Sequence, residues 1–521
     1  MKAAHTLRTR SAWILPTLLV AAWTVFAVAW TWSNPLGSAP DEADHYIRAV
    51  AAGYGNTTGT SGPPQTSSAQ DIISGRRYFT IPAGMGAPPQ FACDAFKPNM
   101  AAACANQPGS PPQGTIAAST AGTYMPTAYL LPGVVMRFAS DPYTALRLGR
   151  LASSLLSLSL LGVAAALLWS RARSAFALLG LVLAVTPMQI FLLTEVGPNG
   201  LEIAAALCFA AAIIRLARQE EVSAWQWLGF AFAGVLLAAT RPLGPEWIAG
   251  GLVMFVLLAG PTGVRRLSRK RPLAAGGATG AVIAAAALNI WWQSRYPALY
   301  HAHVSAVLTS FWDNVNQVPA FLRQMIGVFG WKDTVLPEPV YSAWMIAVLA
   351  LAVVALVVGT RRERLIICVA GVGIVLLSGA LSSYLSHALG YGGAGEGVQG
   401  RYMMPMAIWF PLVCGEVVHL RRERLGALTP RHLVLYVALM AALVQLDAWY
   451  INSRRYAVGA NGPLNFFGHA AWQPPAGWTL WLLVALVGTA LLALFGIAGL
   501  VAAGDRLGSP PQPPNAVTPA A

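Results

Sequence analysis

The chain has 521 residues, 56% of them hydrophobic and 10% charged, with a mean hydropathy of +0.55. Its charges gather in a few stretches and leave long apolar runs, which excludes a soluble enzyme, a disordered chain and a nucleic-acid-binding module and indicates an all-α polytopic membrane protein. The formal charge of +14 then reads as a topology signal and not as a nucleic-acid footprint.

The first apolar run, Ala12 to Trp32, follows Arg8 and Arg10 and ends in Trp30-Thr31-Trp32 without a small-residue cleavage site, so it is expected to be a retained anchor with its N-terminus in the cytoplasm. Further runs at 144–169, 174–193, 200–217, 224–240, 245–260, 273–293, 341–359, 364–381, 403–420, 431–450 and 477–502 bring the expected number of transmembrane helices to about 12, N-in and C-in. Orientation follows from the basic clusters. Arg171 with Arg173, Arg215 with Arg218, Arg265 to Arg271, Arg361 to Arg364 and Arg421 to Arg424 all follow even-numbered runs, where an inside start puts the cytoplasm.

The expected organisation is an anchor at 1–33, an extracytoplasmic loop domain at 34–143, transmembrane helices 2–7 at 144–293, a second outer loop at 294–340, helices 8–12 at 341–502 and a disordered cytoplasmic tail at 503–521. Gly55 to Asp71, rich in Gly, Ser, Thr, Pro and Gln, reads as mobile. Of the five cysteines, Cys208, Cys368 and Cys414 lie in apolar runs, while Cys93 and Cys104 share the large outer loop, where an oxidising exterior favours a disulfide.

Chemistry concentrates just past the anchor, where Asp41, Glu42, Asp44 and His45 follow Ser38-Ala39-Pro40. If Pro40 occupies the first turn of a helix capped at Ser38 or beside it, Asp41, Asp44, His45 and Arg48 share one face, with Tyr46, Ile47 and Val50 on the other. Such a helix would lie along the membrane interface. Acids in a first turn are also favoured by the helix dipole, and Asp44 with Arg48 is an ordinary i,i+4 pair. The functional reading takes one carboxylate as general base on an acceptor hydroxyl, with its neighbours orienting it or Asp41 and Glu42 holding a divalent cation, Mg²⁺ or Mn²⁺.

Other charged residues are expected at the same side. Glu195 and Glu202 flank Gly197-Pro198-Asn199-Gly200; Arg241 and Glu246 bracket a Pro-Leu-Gly-Pro turn; Lys332 and Asp333 follow Gly330-Trp331; Gln399, Arg401 and Tyr402 open the tenth run. Arginine this close to a bilayer is costly unless paired or given a phosphate. Tyr300-His301-Ala302-His303 has metal-compatible spacing without a third ligand nearby in sequence, so these histidines read as solvated loop residues.

Taken together, Pro40 to His45, Gly197 to Glu202, Arg241 to Gly244, Gly327 to Thr334, Val398 to Pro405 and Arg454 to Gly459 resemble the bacterial membrane proteins grouped as DUF2142, in order and through nearly the whole chain. Tyr124 to Tyr129 resembles that family's aromatic-Pro-Pro-Leu-Tyr-Tyr segment with two departures, and Asn199 stands where the family pattern has an acid. The family in turn resembles the GT-C glycosyltransferases. That resemblance implies a GT-C-like fold in the bacterial plasma membrane, with an active site facing the extracytoplasmic side. It further implies a polyprenyl-phosphate-linked sugar donor, an envelope polysaccharide or glycolipid acceptor, and inversion by a carboxylate base, Asp41. Arg401, Arg241 and Lys332 would hold the donor phosphate, with Glu195, Asn199, Glu202, Asp333, Gln399 and Tyr402 in support. A transporter or flippase of lipid-linked precursors, or a noncatalytic partner in envelope assembly, fits the same helix count. An arabinofuranosyl or mannosyl group suits the alanine-rich, actinobacterial appearance of the chain, by analogy of composition alone.

Overall fold

The computed structural model describes residues 13–505 apart from 62–75, 107–108, 173, 219–222, 298–303, 389, 391–392 and 426–428. Most of Gly55 to Asp71, the histidine pair 301/303 and tail residues 506–521 lie outside this set. The protein is a helical bundle in which every expected apolar run forms helix: α1 (Ile14–Ser33), α2 (Glu42–Gly53), α3 (Thr127–Met136), α4 (Pro142–Ala172), α5 (Phe176–Ala184), α6 (Pro187–Leu193), α7 (Pro198–Arg218), α8 (Ala224–Thr240), α9 (Gly244–Lys270) and α10 (Pro272–Arg295). Short helices α11 (Val304–Thr309), α12 (Phe311–Val315) and α13 (Val318–Gly327) precede α14 (Glu338–Val358), α15 (Arg361–Ala388), α16 (Met404–Ala407), α17 (Trp409–Leu420), α18 (Thr429–Val458) and α19 (Gly477–Asp505).

Among the described residues, ten helical segments are long and apolar enough to cross a membrane, or eleven when α5 and α6 count as one broken span. The run at 224–240 forms α8, a helix of 17 residues, shorter than a full crossing by the same measure. Exposed Leu155, Phe232, Ile283, Leu349 and Leu377 lie on outer faces of these helices, as contact with lipid requires. The short run at 200–217 lies within α7, the most deeply buried span, packed among α4, α8 and α9. Its alanines at 204–206 and 210–212 let neighbouring backbones approach closely.

The run at 174–193 is not one helix. It bends by 66° at Val185–Thr186 because Pro187 removes a backbone donor and restarts the helix, with the Thr186 hydroxyl accepting from Gln189 N. The break is closed from both sides: Gln445 Nε2 donates to the freed Val185 carbonyl at 3.1 Å, and Thr186 Oγ1 donates to Met325 O at 2.6 Å.

Between α1 and α4 the chain forms a cap over one end of the bundle. Strands β1 (Arg77–Thr80) and β2 (Ile116–Ser119) pair antiparallel with Arg77 opposite Ser119, and a disulfide joins Cys93 to Cys104. Strands β3 (Val328–Phe329) and β4 (Thr334–Val335) make a small hairpin beside it. Helix α2 keeps no apolar face free for the membrane interface: all its residues except Ala43 and Asp44 are buried, against α3, β2 and β1. Its contact with α3 runs glycine to glycine, since a Cβ on Gly53 would meet the Gly133 backbone and one on Gly133 the Ala49 carbonyl.

Candidate functional site

Helix α2 begins at Glu42, two residues after Pro40, and Asp41 in place of Ser38 or its neighbour occupies the N-cap position, in the left-handed region (φ 62°, ψ 8°) without a side-chain cap bond. An aspartate here normally spends its carboxylate on the first helical amides. The αL backbone instead turns it towards Arg401, Nη2 to Oδ2 at 3.6 Å, and leaves the Asp41 side chain half exposed while Arg401 is buried. Lys332 is also in the left-handed region, at φ 63°. Strained backbone at charged residues is maintained only where surrounding structure over-determines it.

Around this pair the structure gathers residues from six segments. Arg241 donates from Nη1 to Asn199 Oδ1 at 2.9 Å and to Glu202 Oε2 at 3.1 Å, and Trp247 Nε1 donates to Glu202 Oε1 at 3.0 Å. The Asn199 amide oxygen thus accepts where an acid was expected from the family pattern. Both guanidinium groups lie over the Tyr402 ring, Arg241 at 4.7 Å and Arg401 at 5.5 Å from its centroid. Lys332 Nζ donates to Val398 O at 3.1 Å, and burial followed by the Arg401 charge lowers its pKa. Gln399 is half-buried beside Arg401, its carbonyl accepting from Tyr402 N.

His45 hydrogen-bonds through Nδ1 to Tyr129 OH at 2.9 Å, with the two rings stacked at 5.8 Å. Burial first, then the charges of Arg401 and Arg241, push its pKa down to about 3, so at neutral pH it is an uncharged imidazole. Glu195 is buried, and its Oε2 has no hydrogen-bond partner among the described residues. Burial, opposed by Arg401, holds this carboxyl well above the usual carboxylate range. Gly197 lies between the two: a Cβ there would meet the His45 ring at 3.4 Å and Glu195 Oε1 at 3.5 Å.

Two residues expected in the chemistry do other work. Glu42 is fully buried, both oxygens bound to Arg150 (2.7 Å from Nε to Oε1 and 2.5 Å from Nη2 to Oε2), and it also accepts from Gly37 N and Val196 N. With its lone pairs taken it is neither a free base nor a metal ligand, so the Asp41–Glu42 pair does not fit a divalent cation. Among the described residues no three His, Cys, Asp or Glu side chains gather as a metal site would. Asp333 pairs with Arg455 Nη2 at 2.8 Å, and Arg455 also meets Asp94 Oδ2 at 3.7 Å, so these three tie the disulfide loop and the β3–β4 hairpin to α18.

Asp44 departs from the others as well. Its Oδ1 accepts from Thr120 N at 2.7 Å and its carbonyl from Ser119 Oγ at 2.8 Å, which fixes α2 to β2, while burial raises its pKa. Arg48 donates to Thr57 O and Tyr124 O and rests over Phe79. Residues to which the sequence assigned no role, Tyr124, Tyr129, Arg150 and Trp247, complete the walls; the first two lie in the aromatic segment that resembles the family pattern.

The chemical character that results is an acid of accessible oxygen facing a buried cationic surface. Nε of Arg241 and Nε of Arg401 are each buried without an acceptor among the described residues. Arg48 Nε and Nη1 and Arg455 Nε are in the same condition, so what sets Arg401 and Arg241 apart is the facing Asp41 carboxylate and the Tyr402 ring that both guanidinium groups share. No curated protein matches the chain. Residues 24–410, most of its length, match the family of predicted membrane proteins named DUF2142, and the chain belongs to that family.

Proposed function

We propose that this protein is a GT-C-like glycosyltransferase of the bacterial plasma membrane that moves a sugar from a polyprenyl-phosphate donor to an envelope glycan or glycolipid on the extracytoplasmic side. The observation that carries the reading is the opposition of Asp41 to Arg401, with two buried guanidinium donors lacking acceptors. A phosphate would complete both, and its departure requires stabilised negative charge more than a proton. Twelve crossings result if the bent pair α5–α6 and the short α8 each cross, and the basic clusters then place this end of the bundle outside.

In the proposed reaction the Asp41 carboxylate takes the proton of an acceptor hydroxyl while that oxygen attacks the anomeric carbon. The bond from that carbon to the phosphate oxygen breaks, the electron pair leaves with the phosphate, and the configuration inverts. Arg401 and Arg241 take up the charge on the leaving phosphate, with Lys332 adjacent. For the lipid chain, a cavity of about 440 Å³ lies among apolar residues of α9, α15 and α16, including Val253, Leu377 and Met406, and reaches Trp247, the hydrogen-bond partner of Glu202.

The broken helix α5–α6 supports a second reading, a flippase of lipid-linked precursors, because interrupted spans recur in transporters. The leaflet in which a glycosyl lipid builds up in a deletion strain separates the two. Transferase loss leaves it in the outer leaflet, open to an impermeant oxidant such as periodate; flippase loss leaves it protected inside, and a protected pool would overturn the transferase reading.

A further inference from the structure

A second cavity, of about 550 Å³, opens between the end of α1, the disulfide loop, the start of α4 and the segment ahead of α19. Its volume falls within the roughly 300–1,000 Å³ of small-molecule sites. Asp41, Arg401, Arg241 and Lys332 are not among its lining residues. The two cavities also differ in chemistry: the 440 Å³ groove is lined almost wholly by apolar side chains, whereas this one alternates aromatic rings with amides and charges.

Its aromatic walls are Trp32, Phe91, Tyr143 and Trp472, each packed against another ring. Trp32 stacks on Trp481 at 6.0 Å and 7°, Tyr143 packs edge-on to Phe91 and donates to Gly109 O at 3.2 Å, and Trp472 packs against Trp478 at 5.5 Å. Rings fixed in this way offer flat apolar surfaces at little entropic cost on binding. Gln90, Gln473, Asp141 and Arg147 also line it, Asp141 with its Oδ1 accepting from Tyr143 N and Thr144 N at the start of α4. The Gln90 Oε1 atom is buried with no hydrogen-bond partner among the described residues, and the side chain reaches its place only because Gly109 lacks a Cβ. A buried acceptor of this kind calls for a donor from elsewhere.

Flat rings take the C–H faces of a sugar, and planar amide, carboxylate and guanidinium ends take its neighbouring hydroxyls in pairs. One acid against one base leaves the lining without the excess positive charge that a phosphate demands, in contrast to the Arg401–Arg241 surface. We propose that this cavity binds a neutral oligosaccharide, separately from the Asp41–Arg401 site. The binding needs no catalysis and stands even if Asp41 is not a base.

The test is titration of the full-length protein in lipid nanodiscs with maltotriose, mannotriose and arabinofuranotriose, read by tryptophan emission and by saturation-transfer NMR. A saturable signal with at least one trisaccharide is expected. It should weaken tenfold or more in Gln473→Ala and Arg147→Ala, both exposed side chains whose loss leaves the core intact, and persist in Asp41→Asn. Three results overturn the proposal: no saturation with any of the three sugars, undiminished binding in both alanine variants, or an equal response to glycerophosphoglycerol, which would make the cavity a lipid-headgroup site.

Discussion

At the scale of single residues, neighbouring acids in one short motif have opposite environments. Asp41 is partly open and faces one guanidinium at 3.6 Å; Glu42, next in the chain, is sealed by four hydrogen bonds from Arg150, Gly37 and Val196. Glu42→Gln should therefore cost about 3–5 kcal/mol of stability by leaving Arg150 buried beside a neutral partner. Thermal unfolding in detergent measures this, and an unshifted midpoint with activity lost would return Glu42 to the chemistry. His45 makes a pH prediction. Its folded pKa near 3 lies below the unfolded 6.5, so the stability it contributes is complete above pH 6.5 and is lost as the pH falls towards 3, at up to about 1.4 kcal/mol per pH unit. Asp44, whose pKa is raised by burial, works in the opposite sense, so the comparison to make is wild type against His45→Gln across pH 6.5 to 3, where the substituted protein should show the flatter curve. Equal slopes would contradict a buried neutral imidazole. Asp41 and Arg401 were legible because charge beside apolar runs is costly. Arg150 was not: its partner Glu42 lies 108 positions away, and inside the second run it looks like any arginine near a helix end.

Individual elements were legible where period and length decide them, and misread where partners distant in sequence do. Every apolar run became helix, yet the 174–193 run is broken, and Pro187 within it was the available signal. Helix α2 has the composition of an interfacial helix, but the paired strands β1 and β2 and α3 cover it, and neither is visible from residues 42–53 alone. Because α2 and α3 meet at Gly53 and Gly133, Gly133→Val should push the helices apart, move His45 from Tyr129 and destabilise the cap by about 1–3 kcal/mol. Limited proteolysis of the cap segment would report it. Cleavage at the wild-type rate would mean that this close approach does not hold the site together.

For the whole molecule, the site requires separate helices to deliver charge to one end of the bundle. The N-termini of α2 and α7, the turn before α9, the β3–β4 hairpin and the segment before α16 converge there, while the Arg421–Glu363 and Arg218–Glu416 pairs lie at other helix ends. The assembly of the site could be anticipated from charge placement; its filling by Tyr124, Tyr129 and Trp247 could not, since aromatic residues are expected at any membrane boundary. The most direct measurement is complementation of a deletion strain with wild type or Asp41→Asn, followed by analysis of the lipid-linked sugar pool and the envelope glycan. With equal protein levels, the Asp41→Asn strain should match the deletion, with one glycosyl lipid accumulated, the glycan truncated, and transfer reduced at least ~10²-fold. A glycan and lipid pool restored to wild type by that variant would contradict the account.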